Sequence, residues 1–338
     1  MKNRFRSLFA VFFSLVLLLS CTVSASYAGN EVTVDVSAKF LYDEARSMLN
    51  YINDFRTGDE AYYVNSDNRT QTRVTGLQKL QYDYNLEATA MLRALELAVY
   101  FSHTRPNGQQ WSSAHTGTYT RGENICYGYG SAKSAFKAFR EDDEDYAGQG
   151  HRRIMLEKKF TRAGFGCVKV GGTVYWAEEF GSGAAGGSAS QKFSANSVSA
   201  IWEILNAGRT KISASASDLT ITAGESIDLP KVILTSGSGA KNVLHQTKWS
   251  SSNKKVAKIK NSKLVAVKKG KTNLTIDVNG TTLKVKVKVV KESGKTSASL
   301  ESLEDYTTPL GTEDTEIFIV DEEGAAFMDE SDLPETDE

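Results

Sequence analysis

Residues 163–180 read AGFGCVKVGGTVYWAEEF, and their pattern decides the fold class. Two alternating apolar runs, Ala163–Val170 and Thr173–Phe180, flank Gly171-Gly172. Paired glycines supply the positive φ angles of a two-residue turn, so the stretch predicts a β-hairpin. Upstream the period changes. Leu41, Ala45, Met48, Ile52 and Phe55 recur at helical spacing, and Ala88, Met91, Leu95 and Val99 mark a second helix behind the N-cap residue Asp83. Ser131 caps a third helix, Ala132 to about Asp142, with Phe136 and Phe139 turned inward. Helices that end in a hairpin predict an α+β domain over residues 39–182.

The N-terminus is a targeting signal. Lys2, Arg4 and Arg6 precede an apolar run from Leu8 to Leu19, and Ser26-Tyr27-Ala28 suits cleavage, which makes residues 1–28 a signal peptide. The run is shorter than the ~20 residues of a membrane span. Leu18-Leu19-Ser20-Cys21 approximates a lipobox, so the alternative route tethers the chain by lipid at Cys21. The expected product is secreted and extracellular, with no transmembrane span in the mature chain. Cys126 and Cys167 are then the remaining thiols, and in an oxidising compartment they are expected to pair as a disulfide. The rival reading makes Cys126 a nucleophile.

Gly181–Ser190 is rich in Gly, Ala and Ser, so residues 183–207 read as a flexible linker interrupted by a short docking helix at Ile201–Leu205. Residues 208–291 change to short alternating strands, with a turn at Asn279-Gly280. In Lys284–Val289 lysines and valines alternate, which gives one solvated and one buried face; the lysines suit an edge strand that must not pair further. The segment predicts an all-β sandwich of about eighty residues. Residues 292–338 form an acidic tail expected to be disordered. Leu333-Pro334-Glu335-Thr336 lacks the Gly and the apolar anchor of a wall-sorting signal.

A net charge of −1 hides a strong asymmetry. Residues 208–291 carry seventeen Lys and Arg against four acids, whereas fifteen acids and no Lys or Arg follow Lys295. The basic module can meet the tail or an anionic surface such as a cell-wall polymer or lipid headgroups. Lysines on alternating strands with few interleaved aromatics argue against nucleic acid.

His103 lies in FSHTRPNG (101–108), His151 in GQGHRRIML (148–156), and Glu123 in RGENI (121–125). These stretches are rich in turn-forming residues that leave side chains accessible. A neutral imidazole can ligate a metal or carry a proton, and a nearby carboxylate can orient it. The plainer reading is that both imidazoles are hydrogen-bonding staples. His115 and His245 read as ordinary surface or turn residues, Trp111 and Trp176 as packing, and Arg152 and Arg153 as caps or solvated positions on a short helix.

In order and spacing, Leu80-Gln81-Tyr82-Asp83, FSHTRPNGQQW, GENI, GHRRIML and YWAEEFG resemble the CAP superfamily, the SCP-like or cysteine-rich secretory protein family, from about Leu41 to Gly181. LTITAGES, KWSSSN, VAKI and VKKGKTNLTI resemble a bacterial Ig-like domain of the second group. The first resemblance implies an α–β–α sandwich with a cleft holding two His and two acids. His103, Glu123 and His151 match three of them. The fourth acid normally stands three positions after a Trp; Phe139 replaces that Trp here, so spacing selects Asp142, beside Glu141, Asp143 and Glu144. Some family members bind zinc or another divalent cation through the two His. The resemblance therefore implies an exported, non-enzymatic protein whose cleft takes a divalent metal or a small lipid-like ligand, with the Ig-like module as spacer or binder of a host or cell-surface molecule. A metal-dependent or His/Glu-assisted hydrolase is the alternative, although no HExxH helix is present. An adhesin acting through the basic module is the third reading.

Overall fold

The computed structural model describes residues 30–208, 210–245, 247–291 and 325–328. The expected signal segment 1–28 with Cys21, and the acidic tail apart from 325–328, lie outside the described residues. Along the chain come β1 (Glu31–Asp35), β2 (Ala38–Phe40), α1 (Tyr42–Thr57), β3 (Tyr62–Val64), β4 (Gln71–Arg73), β5 (Gln81–Tyr82) and α2 (Tyr84–Leu97). A 3-10 turn (Trp111–Ala114) leads to β6 (Arg121–Tyr127), α3 (Ala132–Arg140), α4 (Gly150–Met155), β7 (Arg162–Val170) and β8 (Thr173–Gly181). Beyond them lie β9 (Ser197–Ile201), α5 (Trp202–Ala207), β10 (Lys211–Ala214), β11 (Asp218–Thr222), β12 (Ser226–Asp228), β13 (Val232–Thr235) and β14 (Lys241–Leu244). The last are β15 (Lys248–Ser251), β16 (Ala257–Lys260), β17 (Lys263–Ala266), β18 (Gly270–Val278), β19 (Thr281–Val290) and β20 (Ala325–Met328).

The first region is α+β, with helices packed on a central sheet. Its central sheet runs β2-β7-β8-β6-β20, with β5 pairing parallel to β7. The Gly171 turn, at φ +57°, joins β7 to β8 in a hairpin. α2 starts where Asp83 accepts from the amides of Asn85 and Leu86, and α3 starts at a Ser131/Ser134 capping box. α2 lies directly on the sheet because Gly164 and Gly166 face it. A Cβ on Gly164 would stand 2.2 Å from the Glu87 nitrogen, and one on Gly166 would stand 2.0 Å from the Ala90 carbonyl oxygen. α1, α3 and α4 form the opposite layer, where Phe136 packs between Tyr51 and Phe55, and Phe160 stacks on Phe180.

The expected disulfide does not form. Cys126 on β6 and Cys167 on β7 both stand opposite Trp176, which lies on the strand between them. Two strand spacings separate the cysteines, about 9–10 Å, beyond the ~7 Å that a disulfide tolerates between α-carbons. Both are buried free thiols, and burial raises the pKa of each, which also argues against a nucleophilic Cys126.

The second region is β-rich, in three sheets rather than one autonomous sandwich: β11-β19-β18-β15, β12-β17-β16, and β10-β13-β14-β1-β9. The third sheet draws strands from outside residues 208–291. β1, which precedes the first region in the chain, pairs antiparallel with β9 on one side and β14 on the other. Its alternation buries Val32 and Val34 on one face. The stretch read as a flexible linker contributes β9 and the helix α5, whose Trp202 and Leu205 are buried. β19, read as an edge, is interior: β11 and β18 flank it, and Lys284, Lys286 and Lys288 occupy its solvent face.

Candidate functional site

The site forms around β6. Its consecutive residues Glu123 and Asn124 leave opposite faces of the sheet, because side chains alternate along a strand. Glu123 projects toward the α2 layer. There Arg93 of α2 donates from Nε to Glu123 Oε2 at 2.7 Å, and His103 Nδ1 lies 2.6 Å from Glu123 Oε1. Burial would raise the Glu123 pKa, but Arg93 and His103 outweigh it and hold the carboxyl well below its ordinary range. An ionised Glu123 can only accept, so Nδ1 of His103 is the donor in this bond.

The loop carrying His103 is clamped from both ends. Arg93 Nη2 donates to the Ser102 carbonyl at 2.8 Å. Glu96, three residues after Arg93 on α2, pairs with both Arg93 and Arg105 at 2.7 Å. From the second region, the Ile201 amide donates to the Pro106 carbonyl at 2.8 Å. The β9–α5 segment therefore braces the loop that presents His103.

On the other face, Asn124 Nδ2 donates to the His151 carbonyl at 3.2 Å and to Glu178 at 2.9 Å. His151 Nδ1 bonds the Glu141 carboxylate, and its ring meets Phe139 edge-on with centroids 5.1 Å apart. The two imidazoles thus sit on either side of β6. Among the described residues, Nε2 of His103 and Nε2 of His151 are both buried without a hydrogen-bond partner.

His151 therefore meets Glu141, not Asp142. Glu141 is the C-cap of α3 in the left-handed conformation, φ 50° and ψ 47°, and that reversal aims its carboxylate at α4. Asp142 is 39% exposed and pairs with Arg140 and Arg152. Arg152 is fully buried rather than solvated. It donates to the carbonyls of Glu60, Tyr62 and Arg140, which ties α4 to the chain after α1.

His115 is likewise not a surface residue. It is buried beside Trp111, with Nδ1 2.7 Å from the Tyr119 hydroxyl and Nε2 2.8 Å from Glu179. Burial, reinforced by the Arg121 charge, pushes its pKa down to about 3, so the ring is neutral. Glu179 faces Glu123 across the β6–β8 ladder. Burial and the Glu123 charge raise its pKa, against Arg93 and Arg121. Glu178, on the opposite face, is pushed up to about 8 by burial; the Asn124 bond opposes the shift and the Glu141 charge adds to it. His245 is the exposed member, paired with Asp35 at 2.6 Å. Sequence reading missed Arg93, Glu96, Glu178 and Glu179. For the two glutamates a signal existed, since adjacent acids in an otherwise apolar strand require partners on both faces.

Residues 49–180 match the family model described as the cysteine-rich secretory protein family, CAP, so a CAP domain occupies that span. Solved structures with similarity include venom allergen-like protein 4 of Schistosoma mansoni, at 14% identity and TM-score 0.32, covering 43% of this chain and 92% of that one. NaASP2, crystallised with Zn2+, is 19% identical at TM-score 0.33, covering 42% and 80%. Domains 4 and 5 of the S-layer protein SbsC are 16% identical at TM-score 0.21, covering 40% and 70%. No curated protein matches the chain. No helix among the described residues is long and apolar enough to cross a membrane.

Proposed function

With a CAP domain at residues 49–180, we propose that this is an exported cation-binding protein whose cleft takes a divalent ion through Nε2 of His103 and Nε2 of His151. One observation carries the reading: both Nε2 atoms are buried and unpartnered, while both Nδ1 atoms are held by carboxylates. A metal-ligating imidazole characteristically gives its other nitrogen to such a carboxylate, which fixes the tautomer and raises ligand basicity. A borderline-soft ion that accepts nitrogen ligands, Zn2+ above all, suits this donor pair. Two protein ligands fall short of the four that close a structural zinc site, so the ion would exchange. When bound, such an ion supplies Lewis acidity. Glu123 and Glu141 act as orienting groups, Arg93 holds Glu123 in place, and no step of turnover is assigned. The basic β-rich region serves as the spacer and surface-binding part, resembling an Ig-like module.

Isothermal titration of the mature chain with Zn2+ tests the reading. Binding is expected to vanish in the His103→Ala/His151→Ala double variant. Glu141→Gln should weaken it by about 10–100-fold, the usual cost of losing an orienting partner. Asp142→Asn should leave it unchanged. Equal binding by the double variant would overturn the proposal.

A further inference from the structure

The edge of β6 that faces away from β8 runs between the two histidines, and it is taken by a segment of the chain's own tail. β20 adds there antiparallel, with Ala325 opposite Asn124, Ala326 opposite Glu123, Phe327 opposite Gly122 and Met328 opposite Arg121. The helix that carries His151 lies against β20. We propose that this edge is a strand-docking surface, that residues 325–328 are its occupant, and that the docked strand is a strap closing the space between His103 and His151.

Three further observations support the assignment. β6 carries no lysine to guard the edge, and Arg121 to Cys126 are buried with residues 325–328 in place. An unguarded edge of that kind is a template for another strand. No other described strand pairs with it. Ala325-Ala326-Phe327-Met328 is also an uncharged, proline-free island, set between Asp321-Glu322-Glu323 and Asp329-Glu330. Such a segment can form a ladder without carrying a charge or a proline into it. Finally, the chain from Lys291 to Ala325 reaches on the order of 110 Å when extended, ample to return from the end of β19. Main-chain pairing supplies the affinity in strand addition, so the edge recognises extended polypeptide rather than a particular side chain.

Successive residues of a strand aim their N–H groups in opposite directions, so only one of Ala326 and Phe327 donates to β6. The experiment uses the full mature chain with Ala326→Pro and, separately, Phe327→Pro, and reads amide hydrogen exchange by NMR at the β6 positions that face away from β8. One proline variant is expected to exchange there about tenfold faster than the parent or more, and the other to stay within about threefold, because proline is tolerated only where no ladder donor is needed. A synthetic peptide of residues 321–332, added to the faster variant, should restore protection where a scrambled peptide does not. Unprotected β6 amides in the parent, equal behaviour of the two variants, or failure of the peptide to restore protection would each overturn the strap. Zn2+ binding is not part of this readout, so the strap and the cleft-cation reading fail separately.

Discussion

Glu178 shows how one buried carboxyl imposes a pH dependence on the whole fold. Its pKa, ordinarily 4.5, is pushed up to about 8 by burial. Between those values the folded chain binds more protons than the unfolded chain, so stability falls as pH rises. The slope from this one group is at most about 1.4 kcal/mol per pH unit. Glu178→Gln keeps an acceptor for Asn124 and removes the titration, so its denaturant-unfolding stability should decline less than the parent's between about pH 5 and 8. Parallel curves would mean that Glu178 is ionised in the fold. At this scale the sequence was informative about identity and weak about aim. His103, Glu123 and His151 could be named from their motifs, and the structure places an acid on each imidazole. The identity of the second acid was hidden because a left-handed C-cap at a glutamate leaves no sequence mark. Arg93 was hidden because an arginine on a helix gives no sign of whether it meets water or a buried carboxylate.

Among the elements, the contact of α2 with the β7–β8 hairpin depends on two positions without side chains, Gly164 and Gly166. Gly166→Ala would put a methyl group against the Ala90 backbone at 2.0 Å, where no flexible side chain can yield. The helix would have to lift from the sheet, taking Arg93 and Glu96 with it. Overpacking of this kind costs about 1–3 kcal/mol, and a backbone clash lies at the upper end. A thermal-unfolding comparison should show a clear fall in Tm for Gly166→Ala, and little change for Gly130→Ala, where no atom lies within 4 Å. The hairpin, the Asp83 cap and the Ser131 cap were readable because their signals are local. The cysteine pair misled because strand order is not local: that β8 runs between Cys126 and Cys167 follows from the ladder alone.

For the molecule as a whole, β1 decides how the parts are joined. It precedes the CAP domain in the chain, yet it pairs with β9 and β14, which follow that domain. The CAP domain is therefore inserted between two neighbouring strands of a sheet that belongs to the β-rich region. Asn242 Nδ2 donates to the Ala98 carbonyl at the end of α2 at 3.1 Å, and the Tyr175 hydroxyl bonds Ser238, so the regions also meet directly. The strand at Val32, Val34 and Val36 was not read from the sequence, because its partners lie some 160 to 210 positions away and strand pairing carries no local mark. Val34 is fully buried, between Val198 and Leu244 in the ladder. An aspartate there is a charge in an apolar layer with no cation to meet it, a change worth several kcal/mol. In Val34→Asp, hydrogen exchange should accelerate together at β9 and β14 while the β18–β19 hairpin stays protected, since that hairpin lies in a different sheet. Because Ile201 of β9 holds Pro106, the FSHTRPNG loop should loosen in step, and on the proposed function any Zn2+ affinity should fall although His103 and His151 are unchanged. Acceleration at β14 alone, with β9 and the His103 loop unchanged, would mean that the N-terminal strand does not couple the β-rich region to that loop.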